Sequence, residues 1–174
     1  MIRLVQFAAV LVTAALSATA LAGADCDVCP KDSGVDAAAR DADNARAQLE
    51  KVITLYGDYL TSGNVDGILE LYSSDPVFMP EFAPPAVGRD AVRRAYEAVF
   101  AALKLNGRFT VYEMETLGDR AWVRTSGSGR FTVLASGVEA DIASSELFLF
   151  KREDGSWKIH RYIFNTAAPL AGTN

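Results

Sequence analysis

Between Tyr56 and Pro80 the chain reads YGDYLTSGNVDGILELYSSDPVFMP, two amphipathic helical runs followed by a short apolar strand, and this order limits the folds available. Tyr56, Tyr59 and Leu60, then Ile68, Leu71 and Tyr72, recur at helical spacing, with Ser62-Gly63-Asn64 breaking the two runs apart. Asn64 is placed to cap the second helix, and Asp66 suits its positive N-terminal end. Asp75-Pro76 is expected to end helical structure, because proline disfavours the helical conformation of the residue before it. Val77-Phe78-Met79 then reads as a short strand entering a loop punctuated by Pro80, Pro84 and Pro85.

A third helix is predicted from Gly88-Arg89-Asp90, with Val92, Tyr96, Val99, Phe100 and Leu103 on its apolar face. Beyond Asn106-Gly107 the periodicity changes to that of strands, predicted at 108–116, 119–134, 138–152 and 157–165. Leu117-Gly118, Ser136-Gly137 and Asp154-Gly155 supply the glycines that tight hairpins need. Helices followed by a meander of long strands give an α+β class, with three N-terminal helices packed on one face of a curved antiparallel sheet.

The start of the chain has a different character. Met1-Ile2-Arg3, the apolar run Leu4 to Leu21 and the small residues Ala20, Ala22 and Ala24 have the layout of a secretory signal peptide over 1–24. The expected mature protein is secreted or periplasmic and carries no membrane segment after cleavage. Residues 25–43 form a small, polar tail with one cysteine pair, Cys26 and Cys29, for which a local disulfide is expected in an oxidising compartment. The folded domain is expected over 44–168. A net charge of −5 without a Lys/Arg stripe leaves no electrostatic footprint for nucleic acid. Neither a phosphate-binding glycine loop nor a metal-ligand cluster is written in the chain, so no cofactor or metal is expected.

Strand alternation assigns faces. Thr110, Tyr112, Met114, Ala121, Val123, Thr125, Glu146, Phe148, Phe150, Trp157, Ile159, Arg161 and Ile163 are expected to face the helices. Val111, Glu113, Trp122, Arg124, Ser126, Leu147, Leu149, Lys151, Lys158, His160, Tyr162 and Phe164 are expected on the open side, whose mixture of aromatics and charges suits a homodimer interface. Glu146 and Arg161 stand out as ionisable groups on the face predicted to be buried; a self-satisfied ion pair and a ligand-facing role are both open. His160, the only histidine, falls on the interface side by parity.

The stretch Tyr56 to Asp75, together with SELFLF around Glu146 and the closing GSWKIHRYIFN, resembles the ketosteroid isomerase and SnoaL-like group of the nuclear transport factor 2-like superfamily, over about Gln48 to Asn165. The resemblance implies a cone-shaped fold. It also implies that Tyr56 and Glu146 are the catalytic pair, occupying the positions that form the isomerase's oxyanion hole. The position of that enzyme's general base is occupied by Pro80, which moves no proton; Asp75 and Glu81 are the nearest carboxylates.

Three functions are compatible with these residues. The first is binding of a small, largely apolar molecule in the cone, over a polar floor of Tyr56, Thr125, Glu146 and Arg161 and between walls of Tyr72, Met79, Tyr96, Phe100, Tyr112 and Phe148. The second is acid/base catalysis on a carbonyl compound, as an isomerase, cyclase or dehydratase, with Glu146 or Glu81 moving protons. The third is a non-catalytic dimerisation or assembly module built on the open sheet face.

Overall fold

The computed structural model describes residues 33–167, so the signal segment and the Cys26–Cys29 pair lie outside the described residues. In chain order the elements are α1 (Ser33–Ser62), α2 (Val65–Leu71), β1 (Tyr72–Met79), β2 (Ala86–Val87), α3 (Arg89–Ala102), β3 (Leu103–Leu117), β4 (Arg120–Val133), β5 (Glu139–Glu153) and β6 (Ser156–Thr166). Helix α1 starts at Ser33, so residues 33–43, expected in the polar tail, are helical. The alanines and arginines of residues 37–48 are good helix formers, and they outweigh the polar composition that suggested a tail.

Asn64 caps α2 as its sequence position requires, its side-chain oxygen accepting from the Gly67 N–H at 2.9 Å. The helix nevertheless ends at Leu71, and Tyr72 is already extended, so Pro76 lies inside β1 and does not terminate the helix. The six strands form one sheet in the order β2-β1-β6-β5-β4-β3, antiparallel throughout except that β1 runs parallel to β6. Leu49, Ile53 and Tyr56 of α1, Ile68 of α2, and Val92 and Tyr96 of α3 pack onto Val123, Phe148, Phe150 and Ile159 of the sheet. The result is the cone-shaped α+β arrangement expected from the sequence.

Two bulges overturn part of the face assignment. On β6 the register moves from Leu149↔Arg161 to Phe150↔Ile159, leaving His160 as the extra residue. A single extra residue inverts every side chain beyond it. Tyr162 and Phe164 therefore point to the helices, with Tyr162 only 4% exposed, whereas Arg161 and Ile163 turn to the open side. On β3 the register moves between Val111↔Thr125 and Glu113↔Arg124, which makes Tyr112 the extra residue. Val111 turns inward, and Thr110 and Tyr112 turn outward, Tyr112 being 59% exposed. On β1, Phe78 pairs with Tyr162 and is buried, while Met79 pairs with Ile163 on the open side.

Candidate functional site

Below the packed aromatics the inner sheet face changes to small residues. Gly107 of β3, and Gly127 and Ser128 of β4, with Gly129 next in the strand, border the space between the sheet and the helices and leave its floor almost bare of side chains. Gly129 has φ of +148° and lies so close to the Asn106 backbone that no side chain fits, which lets the two strands approach closely where Gly107 and Gly129 pair. The missing side chains border a cavity of about 670 Å³. Leu60 of α1, Ala95 and Val99 of α3, and Leu105, Phe131 and Ile142 of the strands make it predominantly apolar.

Its polar end is Glu146. The carboxyl group is 3% exposed, accepts from the Thr125 hydroxyl at 2.6 Å through Oε2, and accepts from the Ser144 hydroxyl through Oε1. A Cβ at position 127 would sit 2.8 Å from Oε1, so glycine there keeps the approach to the carboxyl group clear. Thr125 and Ser144 flank Glu146 on the same sheet face, since Thr125 is its cross-strand partner and Ser144 lies two residues before it.

Three tyrosines form a hydroxyl chain that reaches the same cavity. The Tyr56 and Tyr96 hydroxyls are 2.7 Å apart, and those of Tyr96 and Tyr72 are 2.9 Å apart. Tyr56 and Tyr96 line the cavity; Tyr72 supports the chain from behind. Burial holds all three hydroxyls above the usual phenol range, and burial followed by the Glu146 charge does the same to Tyr162. These groups keep their protons at neutral pH and act by giving and accepting hydrogen bonds.

Of the residues expected to form floor and walls, Tyr56, Tyr96 and Glu146 line the cavity. Thr125 is 1% exposed and touches the site only through its bond to Glu146. Phe148, fully buried, belongs to the core beneath the cavity, and Phe100 packs against the Tyr96 ring at 6.2 Å without lining the space. Tyr112, Met79 and Arg161 lie on the open face because of the bulges and the strand pairing. Arg161 donates to the Asp75 carbonyl oxygen at 2.9 Å and to His160 Nδ1 at 2.9 Å, so no Glu146–Arg161 pair forms. Asp75 itself faces Lys151 and His160.

Several lining residues escaped the sequence reading. Phe78, Tyr162 and Phe164 were hidden by the β6 bulge and the parallel pairing of β1, and Phe109 by the β3 bulge. Ser144 carried a usable signal, standing two residues from Glu146 on one strand face. Pro80 lines the cavity, and so does Glu81, whose Oε2 accepts from the backbone N–H of Thr166 at 2.8 Å and from its hydroxyl. Among the described residues no group of three His, Cys, Asp or Glu side chains is placed to hold a metal, and no helix is long and apolar enough to cross a membrane.

Comparison with solved structures places this geometry among known folds. A ketosteroid isomerase-like protein from Erwinia carotovora atroseptica matches with a TM-score of 0.67 and 30% identity, over 71% of this chain and 96% of that one. A nuclear transport factor 2-like protein with a cystatin-like fold from Novosphingobium aromaticivorans matches with a TM-score of 0.63 and 20% identity, over 83% of this chain and 94% of that one. A conserved protein from Planctomyces limnophilus matches with a TM-score of 0.62 and 18% identity, over 68% and 93% of the two chains. No curated protein sequence matches. The family model for the SnoaL-like domain matches residues 52–160, more than half of the chain, and so this chain belongs to the SnoaL-like family.

Proposed function

We propose that the protein binds a small, largely apolar molecule in the cone, oriented by hydrogen bonds at the Tyr56–Glu146 end. The observation that carries this reading is the cavity itself, about 670 Å³ of mostly apolar space ending in one buried carboxyl group. That volume and that ratio of apolar wall to polar contacts are what a ligand pocket needs. The test is titration of a size-graded panel of aromatic and fused-ring compounds, followed by protein fluorescence, into wild type and Ala95→Phe. Ala95 lines the cavity from α3, so the larger ring takes up ligand space. Binding by wild type, weakened at least about tenfold by the filled cavity, supports the reading. A panel with no binder overturns it.

One observation favours a second reading, acid/base chemistry on a carbonyl compound. Glu81 borders the same cavity as Glu146, one residue beyond the proline at the isomerase's base position, and only its Oε2 is engaged among the described residues. Loss of turnover in Glu81→Gln, with binding retained, would select this reading; turnover unaffected by that change would remove Glu81 as the base.

Two expectations outside the cavity complete the proposal. Export after cleavage near residue 24 predicts a mature mass lacking the signal segment, with Cys26 and Cys29 oxidised. Pairing of two copies through the open sheet face draws support from Leu147, Leu149 and Ile163, which are 37%, 39% and 44% exposed beside Trp122. Tyr162, which is in the core, takes no part. Leu149→Arg should convert a sedimenting dimer to monomer.

A further inference from the structure

Within the proposed binding function, the charges around the cavity choose among ligand classes. Glu81, Asp141, Glu146 and Arg108 are the charged residues of its lining, but the Asp141 side chain is 82% exposed and Arg108 alternates outward between Gly107 and Phe109. Both carboxyl groups other than that of Glu146 are engaged elsewhere: Glu81 accepts from Thr166, and Asp141 lies 3.8 Å from the Arg130 guanidinium. Glu146 is different. It is 97% removed from solvent, its partners are the neutral hydroxyls of Thr125 and Ser144, and no ion pair among the described residues includes it.

A carboxylate offers about four acceptor positions, of which the two hydroxyls use two. A buried carboxylate without an opposite charge is costly, and the cost falls when a cation arrives. The surroundings favour such a guest. Tyr56, Phe109, Tyr162 and Phe164 line the same space and can place ring faces near a cation. The Ser144 hydroxyl oxygen, beside Glu146 Oε1, adds an acceptor. The missing side chain at Gly127 leaves room beside Glu146 Oε1, where a Cβ would come within 2.8 Å. An ammonium group only donates, and this end of the cavity mainly accepts. An anionic ligand would instead meet the Glu146 carboxyl group at the polar end, and no cation pairs with that group among the described residues.

We propose that the cavity takes a hydrophobic amine, its ring system in the apolar cone and its ammonium group docked on Glu146 beside Gly127. This rests on the binding function proposed above. The test uses one ring with three head groups: naphthylmethylamine, naphthylmethanol and naphthoate, titrated near neutral pH into wild type and Glu146→Gln. Wild type should bind the amine at least about tenfold more tightly than the alcohol, with naphthoate weakest; tenfold corresponds to about 1.4 kcal/mol. Glu146→Gln should abolish that preference, bringing the amine and the alcohol to within about twofold of each other. The wild-type ratio needs no variant, so a Glu146→Gln protein that does not fold leaves the test intact. Equal binding of amine and alcohol by wild type, or an amine preference that survives in Glu146→Gln, overturns the amine assignment and leaves the binding function standing. If none of the probes binds wild type, the amine assignment fails; the size-graded panel decides separately whether the binding function fails with it.

Discussion

The two ends of one sheet face differ more from each other than the sheet's two faces do. At the packed end, Phe148 stacks on Tyr162 with centroids 4.3 Å apart and on Phe150 at 6.1 Å, and all three are buried against the helices. At the other end the strands continue with the same alternation, but the inward positions of β4 are Gly127 and Gly129 and the facing position of β3 is Gly107. The helical layer extends over both. The cavity therefore arises where the sheet withholds side chains, and hydrophobicity alone does not tell core from pocket: Phe109, Phe131 and Ile142 line empty space with residue types that elsewhere fill it.

The contrast is broken most directly by truncating one phenylalanine at each end. Phe148→Ala should cost roughly 3–5 kcal/mol of stability in urea unfolding, because neighbours on every side lose contacts. Phe131→Ala, bordering the cavity, should cost roughly 1 kcal/mol, since part of its surface already faces open space. Equal costs would mean that the two ends pack alike.

Tyr96→Phe sharpens the boundary between them. Its hydroxyl is the middle of the chain from Tyr72 to Tyr56, so its loss strands two buried hydroxyls and should destabilise the protein by about 2 kcal/mol. Tyr72→Phe removes only an end and should cost about half as much. The reverse order would show that the chain is not continuous. Gly127→Ala should act on the open end alone: crowding Glu146 and Ser144 should weaken binding about tenfold, or about 1.4 kcal/mol, with a smaller change in Tm. Unchanged affinity would separate the glycines from the site.

The smallest effect probes the bulge that turns Tyr162 into the core. Partial burial, then the Arg161 charge, lowers the His160 pKa below 6.5, although Asp75 opposes them; Ser73, Lys151 and Arg120 are its other polar or charged neighbours. A lowered folded-state pKa means that the unfolded chain binds the proton more readily. His160 thus contributes stability above its unfolded pKa, and that contribution is lost as the pH falls through the folded value. Asp75, whose pKa Lys151 lowers from 3.8 to about 2, loses its contribution further down, between those two values. Unfolding midpoints from pH 7.5 to 5 should therefore fall less steeply in His160→Gln than in wild type; identical slopes would remove His160 as the titrating group.

Caps, hairpin glycines and unbroken alternation read correctly from the chain, whereas the helix stop at Asp75-Pro76 and the tail before residue 44 did not. Asn64 caps α2, and Gly118, Gly137 and Gly155 adopt φ of +64°, +71° and +76° at the hairpin turns. Helix periodicity placed Tyr56, Val92 and Tyr96 on buried faces, and the inward parity of Thr125, Glu146 and Phe148 holds because β4 and β5 pair without interruption from Arg120 to Thr132. These features depend on neighbours a few residues away or on an unbroken alternation, and a sequence carries both. Tertiary structure alone decided the rest. Each bulge inserts one residue whose identity, His160 or Tyr112, marks nothing by itself; it exists because the strands must bend and still pair, and each reverses the faces of residues beside it, sending Arg161 out and Tyr162 in. The parallel docking of β1 on β6 set Phe78, and not Met79, over the cavity. Whether the glycines of β3 and β4 would face helices or solvent depended on that same long-range registry, which is why the chain named a cone with Glu146 at its polar end but not the glycines that border it.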